Sequence, residues 1–244
     1  VGLQGNVIGD EEWSLAYTST LPTDINVVPR GGIYLFPMII YDGMLKYANF
    51  SPDILQNIEN RIGLQLQDVE DEERKENGFL AIDLIDYIYA VLHSVTYRDT
   101  YHDFLQNDFP TIPYPASAEY FFKMAEFGKR LRYLHELKGI DRKDLITTYP
   151  VIGEKDNNVV LIHKFEETNE GIGRVWINKE QYFDGVPLEA WNMIIAGYQP
   201  LEKWLKDRKD KHLTGNEIIH YQKMVVALVK TIRTQEEIDE IIEL

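Results

Sequence analysis

The sequence predicts an α+β fold: a helix-rich body carrying small β-sheets. Three observations lead there. Long stretches repeat apolar residues at three- and four-residue spacing, most clearly Ala81 to Ser94, Ala118 to about Lys138, and Ile218 to Ile232. Shorter stretches are apolar throughout or alternate with polar residues, as strands do: Ile33 to Tyr41, Asn158 to Phe165 and Gly173 to Asn178. Gly, Pro and capping residues punctuate the gaps between them, with no internal repeat and no low-complexity segment. At 244 residues, 44% hydrophobic and 12% aromatic, the chain suits one large domain or two small ones. The expected division is 1–50 as an N-terminal strand and loop segment and 51–244 as the helix-rich domain.

Trp13 to Thr18 reads as a strand, Arg30-Gly31-Gly32 as a turn, and Ile33 to Tyr41 as a buried strand. Ser51-Pro52-Asp53 opens helical sequence from Ile54 to Leu66. The charged run 68–76 that follows reads as a mobile loop. In the next helix, Ile82, Ile85, Ile88, Tyr89 and Leu92 form the apolar side. Ser117 caps the helix from Ala118, whose buried stripe is Phe121, Met124, Ala125, Gly128, Leu131 and Leu134 or His135, with Gly139 as its stop. Asn158 to Phe165 and Arg174 to Asn178 suggest a hairpin around a Glu166–Gly173 turn. Val186-Pro187-Leu188-Glu189 opens a helix that ends at Gly197. Pro200 opens another, running from Leu201 to about Lys209. Leu201, Trp204 and Leu205 lie on its apolar side, and Lys203, Lys206, Arg208 and Lys209 on the other. Thr214-Gly215-Asn216-Glu217 matches a capping box ahead of the last helix. That helix repeats Ile218, Tyr221, Val225, Leu228, Val229 and Ile232.

Composition narrows the function classes. The formal net charge of −15 opposes general nucleic-acid binding, because phosphate contacts need Lys and Arg. The charge is uneven, however. Acid gathers in 68–76 and 236–243, base in 123–143 and 203–211. A basic face on an acidic domain can touch DNA when a larger neighbour supplies most phosphate contacts; the same runs also fit solvated helix faces. Cysteine is absent, which excludes disulfides, thiolate metal sites and Cys nucleophiles and fits a reducing cytoplasm. No apolar run is long enough for a membrane-spanning helix, and the N-terminal residues lack a signal-peptide pattern. The lack of an initiator Met suggests a fragment or a processed chain.

Catalytic signatures are not evident. Glu154-Lys155-Asp156 is a loose nuclease candidate of a kind common on acidic surfaces. His93, His102, His135, His163, His212 and His220 show no ligand spacing, and His93 and His135 sit beside apolar helix faces as core histidines do. No nucleophile elbow occurs. The expected metal is none.

Two groups of residues carry a family resemblance. The first is Gly173-Arg174-Val175, Ile177-Asn178, Tyr182-Phe183, Gly185-Val186-Pro187, Gly197-Tyr198-Gln199 and the run Leu201 to Lys209, with His220-Tyr221, Thr231-Ile232 and Ile238-Asp239. The second is Tyr87-Ile88-Tyr89, Leu92-His93-Ser94, Tyr97-Arg98, Tyr101 and Asp108-Phe109-Pro110, with Phe36-Pro37-Met38-Ile39-Ile40-Tyr41 further upstream. Over roughly 33–242 the chain resembles the C-terminal specificity, or target-recognition, domain of type ISP restriction–modification enzymes and related adenine-N6 DNA methyltransferases. The resemblance implies a bacterial defence protein that binds duplex DNA and selects the site. It also implies an upstream methyltransferase domain in the same parent chain, reached through the N-terminal segment, with S-adenosylmethionine as the parent's cofactor.

The hallmarks of that catalytic domain are missing from this chain. Gly171-Ile172-Gly173 does not open a helix, and Pro113-Tyr114-Pro115 lacks the preceding Asn-Pro of an adenine-binding tetrapeptide. The chain alone is therefore expected neither to methylate nor to hold the cofactor. Groove and phosphate reading require Lys, Arg, Tyr or amide groups on rigid elements. Within the two groups the candidates are Tyr97, Arg98, Tyr101, Lys203, Lys206, Arg208, Lys209 and Lys211. Arg98 could equally pair with Asp99 or Asp103, and Trp176, Trp191 and Trp204 are expected in the core. Thr111 stands where the family usually has Arg, which removes one possible contact. One alternative function is a protein-interaction or scaffold module docking a methyltransferase or motor domain. Another is a metal-dependent nuclease using Glu154 and Asp156.

Overall fold

Residues 2–4, 13, 16–20, 33–150 and 157–244 are described in a computed structural model of the chain. The Arg30-Gly31-Gly32 turn and the Glu154-Lys155-Asp156 triplet lie outside the described residues. The chain divides into two units, Val1–Tyr133 with Thr234–Leu244, and Leu134–Arg233. The described residues before 51 belong to the first of them. The α+β expectation holds, with sheets of two and three strands beside the helices.

In the first unit, β1 (Gly2–Gln4) lies between β2 (Ala16–Tyr17) and β3 (Ile33–Leu35), antiparallel to both. β4 (Ile39–Asp42) and β5 (Leu45–Ala48) form a separate ribbon closed by Gly43-Met44, with Gly43 at φ 59°. The single buried strand expected over Ile33 to Tyr41 is thus two strands, and most of it is exposed. Pro37, which has no N–H for a ladder, sits in the gap between them. α1 (Pro52–Ile62) starts with Pro at its first position after Ser51 and ends at Gly63, φ 71°, whose N–H bonds the Glu59 carbonyl.

β6 (Gln65–Leu66) and β7 (Gly78–Phe79) pair in parallel, and the charged run between them is tied down. Gln67 Nε2 donates to Asp71 and to the Glu73 carbonyl, Gln67 Oε1 accepts from Lys75 N–H, and Arg74 forks onto Asp83 at 2.8 and 3.0 Å. These bonds replace the mobile loop expected from charge alone.

α2 (Ala81–His93) is buried on nearly every side instead of on one stripe. Two carboxylates go in with it, Asp83 and Asp86, and each is met by an arginine. α3 (Val95–Thr100) and α4 (His102–Leu105) follow. α5 (Ala118–His135) buries Phe121, Met124, Ala125, Gly128, Leu131 and Leu134 as its spacing predicts. It stops short of Lys138, and Leu137 and Gly139 take left-handed conformations at φ 53° and 69°. Ile238, Ile241 and Ile242 close the core of this unit together with α2 and α5.

In the second unit, β8 (Lys164–Asn169), β9 (Ile172–Trp176) and β10 (Tyr182–Pro187) form an antiparallel sheet in that order. The turn is tighter than Glu166–Gly173, because pairing continues to Asn169 opposite Ile172, with Gly171 at φ 71°. Val186 and Pro187 pair with Gly173 and Ile172, so they end a strand and lead straight into a helix, with Pro187 as its N-cap. α6 (Leu188–Asn192) is correspondingly short. It ends before Gly197, and a tight turn follows in which Ile195 and Tyr198 exchange both backbone bonds. α7 (Pro200–Lys206) and α8 (Gly215–Asp239) complete the set. Tyr221, Val225, Leu228 and Val229 of α8 pack against Val175, Phe183, Trp191, Leu201 and Leu205.

The capping box at α8 forms as read. Thr214 N–H and hydroxyl both donate to Glu217 at 2.9 Å, and Glu217 N–H returns to Thr214 Oγ1 at 3.3 Å. Those donors, the backbone N–H foremost, hold the Glu217 carboxyl below its ordinary value. A lowered folded pKa adds stability above the unfolded value, which is lost as pH falls through the folded one. Thr214→Ala should therefore cost about 1 kcal/mol at neutral pH. In urea titrations the difference should shrink below about pH 4.

Candidate nucleic-acid interface

α7 buries Leu201 and Leu205 completely, so helical geometry turns Lys203 and Lys206 toward water. Neither lysine stands alone. Lys203 Nζ meets Asp207 at 2.5 and 2.6 Å, and Lys206 Nζ meets Glu202 at 2.8 Å. Arg208 is the most fixed cation of the group. Its guanidinium lies 3.6 Å from the Trp204 ring centroid, with Nε bonded to Glu217 at 3.1 Å and Nη1 to the Trp204 carbonyl at 3.3 Å. Trp204 also stacks on His220, centroids 5.7 Å apart. Burial first, then Arg208, pushes the His220 pKa down, so the ring is neutral at pH 7. Lys211 Nζ reaches the Asp207 carbonyl at 3.3 Å. Lys209 is exposed and makes no ion pair among the described residues. Exposed pairs of this kind contribute roughly 0–1 kcal/mol, so an arriving phosphate can replace each carboxylate at small cost.

The counter-charges Glu202, Asp207 and Glu217 escaped the sequence reading. The signal was present for two of them, since Glu202/Lys206 and Lys203/Asp207 stand four residues apart on one helix face.

The candidates in the first unit sit differently. Ser94 Oγ accepts the Tyr97 N–H at 2.9 Å and donates to Asp239 at 2.5 Å, which fixes the start of α3. Tyr97 is fully buried, and its hydroxyl donates to the Thr111 carbonyl at 3.0 Å. Burial pushes its pKa up to about 12. A direct DNA contact from Tyr97 does not fit this placement; the residue pins the 107–115 loop. Tyr87 does the same through the Pro113 carbonyl at 2.9 Å. Arg98 Nε donates to the Leu92 carbonyl at 2.7 Å, and its guanidinium lies 6.0 Å from the Trp13 ring. Tyr101 is the solvent-facing member, 37% exposed, with its ring 5.0 Å from Tyr97. The Thr111 side chain is exposed, and the bond to Tyr97 uses only its backbone.

Among the remaining residues weighed from sequence, His93 is a core histidine, buried against the Tyr89 carbonyl at 2.8 Å, while His135 is half-buried and meets Thr231 at 3.1 Å. Trp191 is buried, while Trp176 and Trp204 are half-buried. Among the described residues no group of three or more His, Asp and Glu could hold a metal, and no helix is long and apolar enough to cross a membrane.

Comparison with known proteins identifies the fold. No curated protein matches the chain. Among solved structures, one similar chain is that of the DrdV–DNA complex determined by cryo-electron microscopy: TM-score 0.58, 18% identity, 84% of this chain and 21% of that one. Another is the ATP-dependent Type ISP restriction-modification enzyme LlaBIII bound to DNA: TM-score 0.51, 18% identity, 82% of this chain and 12% of that one. This chain thus spans about a fifth and an eighth of those two chains. The family described as "Type ISP C-terminal specificity domain" matches residues 1–244, more than the 33–242 over which the resemblance was read. The chain belongs to the Type ISP C-terminal specificity domain family.

Proposed function

We propose that this chain is the DNA target-recognition domain of a restriction–modification adenine-N6 methyltransferase. Duplex DNA is its partner, and the methyl-transfer chemistry lies in a preceding part of a longer parent chain. The observation that carries the reading is family membership across all 244 residues. S-adenosylmethionine belongs to that preceding part, because this sequence carries neither the Gly-rich loop nor the adenine-holding tetrapeptide. The protein works in the bacterial cytoplasm.

Within the domain, phosphate contacts come from Lys203, Lys206, Lys209 and Lys211, with Tyr101 as the exposed aromatic of the other candidate group. Arg208 serves this surface chiefly by bracing it: its stack on Trp204 and bond to Glu217 tie α7 to the start of α8. Arg98 anchors α3 from beneath through the Leu92 carbonyl.

The test is duplex DNA binding by the chain over a salt series. Affinity should fall steeply with salt, with a log–log slope of about 0.9 per phosphate contact. Changing Lys203, Lys206, Lys209 and Lys211 together to Ala, with Arg208 kept so that Trp204 stays covered, should remove most of that slope. Binding that ignores salt would favour the scaffold alternative. Equal binding by variant and wild type would move the DNA face away from α7.

A further inference from the structure

The first unit carries an apolar surface that the reading above does not use. A cavity of about 360 Å³ opens beside α2, lined by Phe36, Pro37, Phe50, Ile88 and Phe109 among others. Phe36 and Phe109 are partly exposed at this surface, with ring centroids 6.0 Å apart, and Tyr34 packs edge-on to Phe109 at 4.8 Å. The β4–β5 ribbon springs from the same rim: Phe36 and Pro37 lead into it and Phe50 leaves it. Asn49 fastens its base, through its side chain to the Pro37 carbonyl and through its N–H to the Met38 carbonyl, each at 2.9 Å.

Beyond that base most of the ribbon is exposed, on both faces. Leu45 and Tyr47 lie on one face and Tyr41 on the other; Tyr41 is 67% exposed and Leu45 69%, and Met44 at the tip is 99% exposed. A two-stranded ribbon is marginal alone in water, and contiguous exposed apolar surface marks an interaction site. The chemistry of the partner follows from charge. On a chain of net charge −15, the ribbon carries only Asp42 and Lys46, and Lys46 is neutralised by Glu70 at 2.9 Å. Among the described residues the ribbon offers phosphates one lysine, already paired, against the four in and after α7, and the Asn49 side-chain N–H is bonded to the Pro37 carbonyl, so a DNA backbone is not what this surface matches best. An apolar protein surface is.

We propose that the β4–β5 ribbon and the cavity at its base form the surface on which an apolar face of the preceding part of the parent chain docks. This rests on the family reading, in which the domain is C-terminal and occupies only 21% and 12% of the two neighbouring chains, so most of such a chain lies outside the domain. It does not rest on DNA binding. The ribbon's place, residues 39–48, is on the side of the sequence from which a C-terminal domain is joined.

Peroxide oxidation of methionine, followed by mass spectrometry, reads the surface directly, with the fully buried Met124 as internal reference. In the 244-residue chain Met44 should oxidise fastest. In the full-length parent it should oxidise at least about tenfold slower, with Met124 slow in both. Equal Met44 rates in the two proteins overturn the proposal. Slowing that appears in the 244-residue chain as its concentration rises assigns the face to a second copy, and slowing that appears only when duplex is added assigns it to DNA; either also overturns it. DNA affinity measured on the same samples separates the two readings: loss of DNA binding with Met44 still protected leaves this docking surface standing and removes the other.

Discussion

Gly128→Ala should lower the stability of the chain by about 3 kcal/mol or more, although alanine is the better helix former by about 1 kcal/mol. A Cβ at position 128 would lie 1.7 Å from the Asp86 carbonyl oxygen and 2.5 Å from its carbon. Both are backbone atoms of α2, so no side-chain rotation relieves the overlap and α2 and α5 must move apart. That separation opens gaps around Tyr87, Phe121, Met124 and Leu131, all buried in the core these helices share. Urea unfolding of wild type and variant measures the effect. An unchanged or raised midpoint would mean that the two helices are more widely spaced than described.

Arg132→Ala acts one turn further along the same face of α5 and should cost about 3–5 kcal/mol at neutral pH. Arg132 forks onto Asp86 at 2.7 and 2.8 Å, and the Asp86 side chain is 3% exposed. Burial raises the Asp86 pKa even with this partner in place, while Arg132 pulls it back down. For a carboxyl whose folded pKa is raised, the native state binds the proton more tightly, so stability falls as pH rises through the folded value. Removing Arg132 takes away the largest opposing influence and lifts that value further. The cost of Arg132→Ala should thus be greatest at neutral pH and shrink on acidification toward about pH 4, where the carboxyl enters the core neutral. Asp86→Leu placed in the Arg132→Ala background should recover much of the loss, because it withdraws the uncompensated charge. A pH-independent cost would place the loss in the packing of the Arg132 stem instead.

The α5 stripe was legible in the sequence down to Gly128, because eighteen residues give a 3.6-residue period room to repeat. Asp83 and Asp86 were invisible as seam residues, because charge on a helix ordinarily signals a solvated face; only the arginines from elsewhere make their burial tolerable. The burial of Tyr97 was not legible for a matter of length, since α3 has six residues, too few to show which side is buried. β10 was missed because Val186-Pro187 reads as a helix start, which it is, and only its pairing with β9 shows that it also ends a strand. At the candidate interface the basic residues of α7 could be read directly. Two of their carboxylate partners, Glu202 and Asp207, are readable too, at four-residue spacing; Glu217 comes from beyond the helix, and its pairing with Arg208 is set by the fold.

The first unit is assembled from both ends of its sequence. Residues 234–244 bring Asp239 to Ser94 and Thr96, Gln235 to the His93 carbonyl and Ile238 into the core. During synthesis the ribosome therefore completes the whole second unit before the first has its last contacts. A polypeptide that ends before residue 234 lacks Asp239, Gln235 and Ile238, so the start of α3 loses its carboxylate partner and the core of the first unit loses part of its cover.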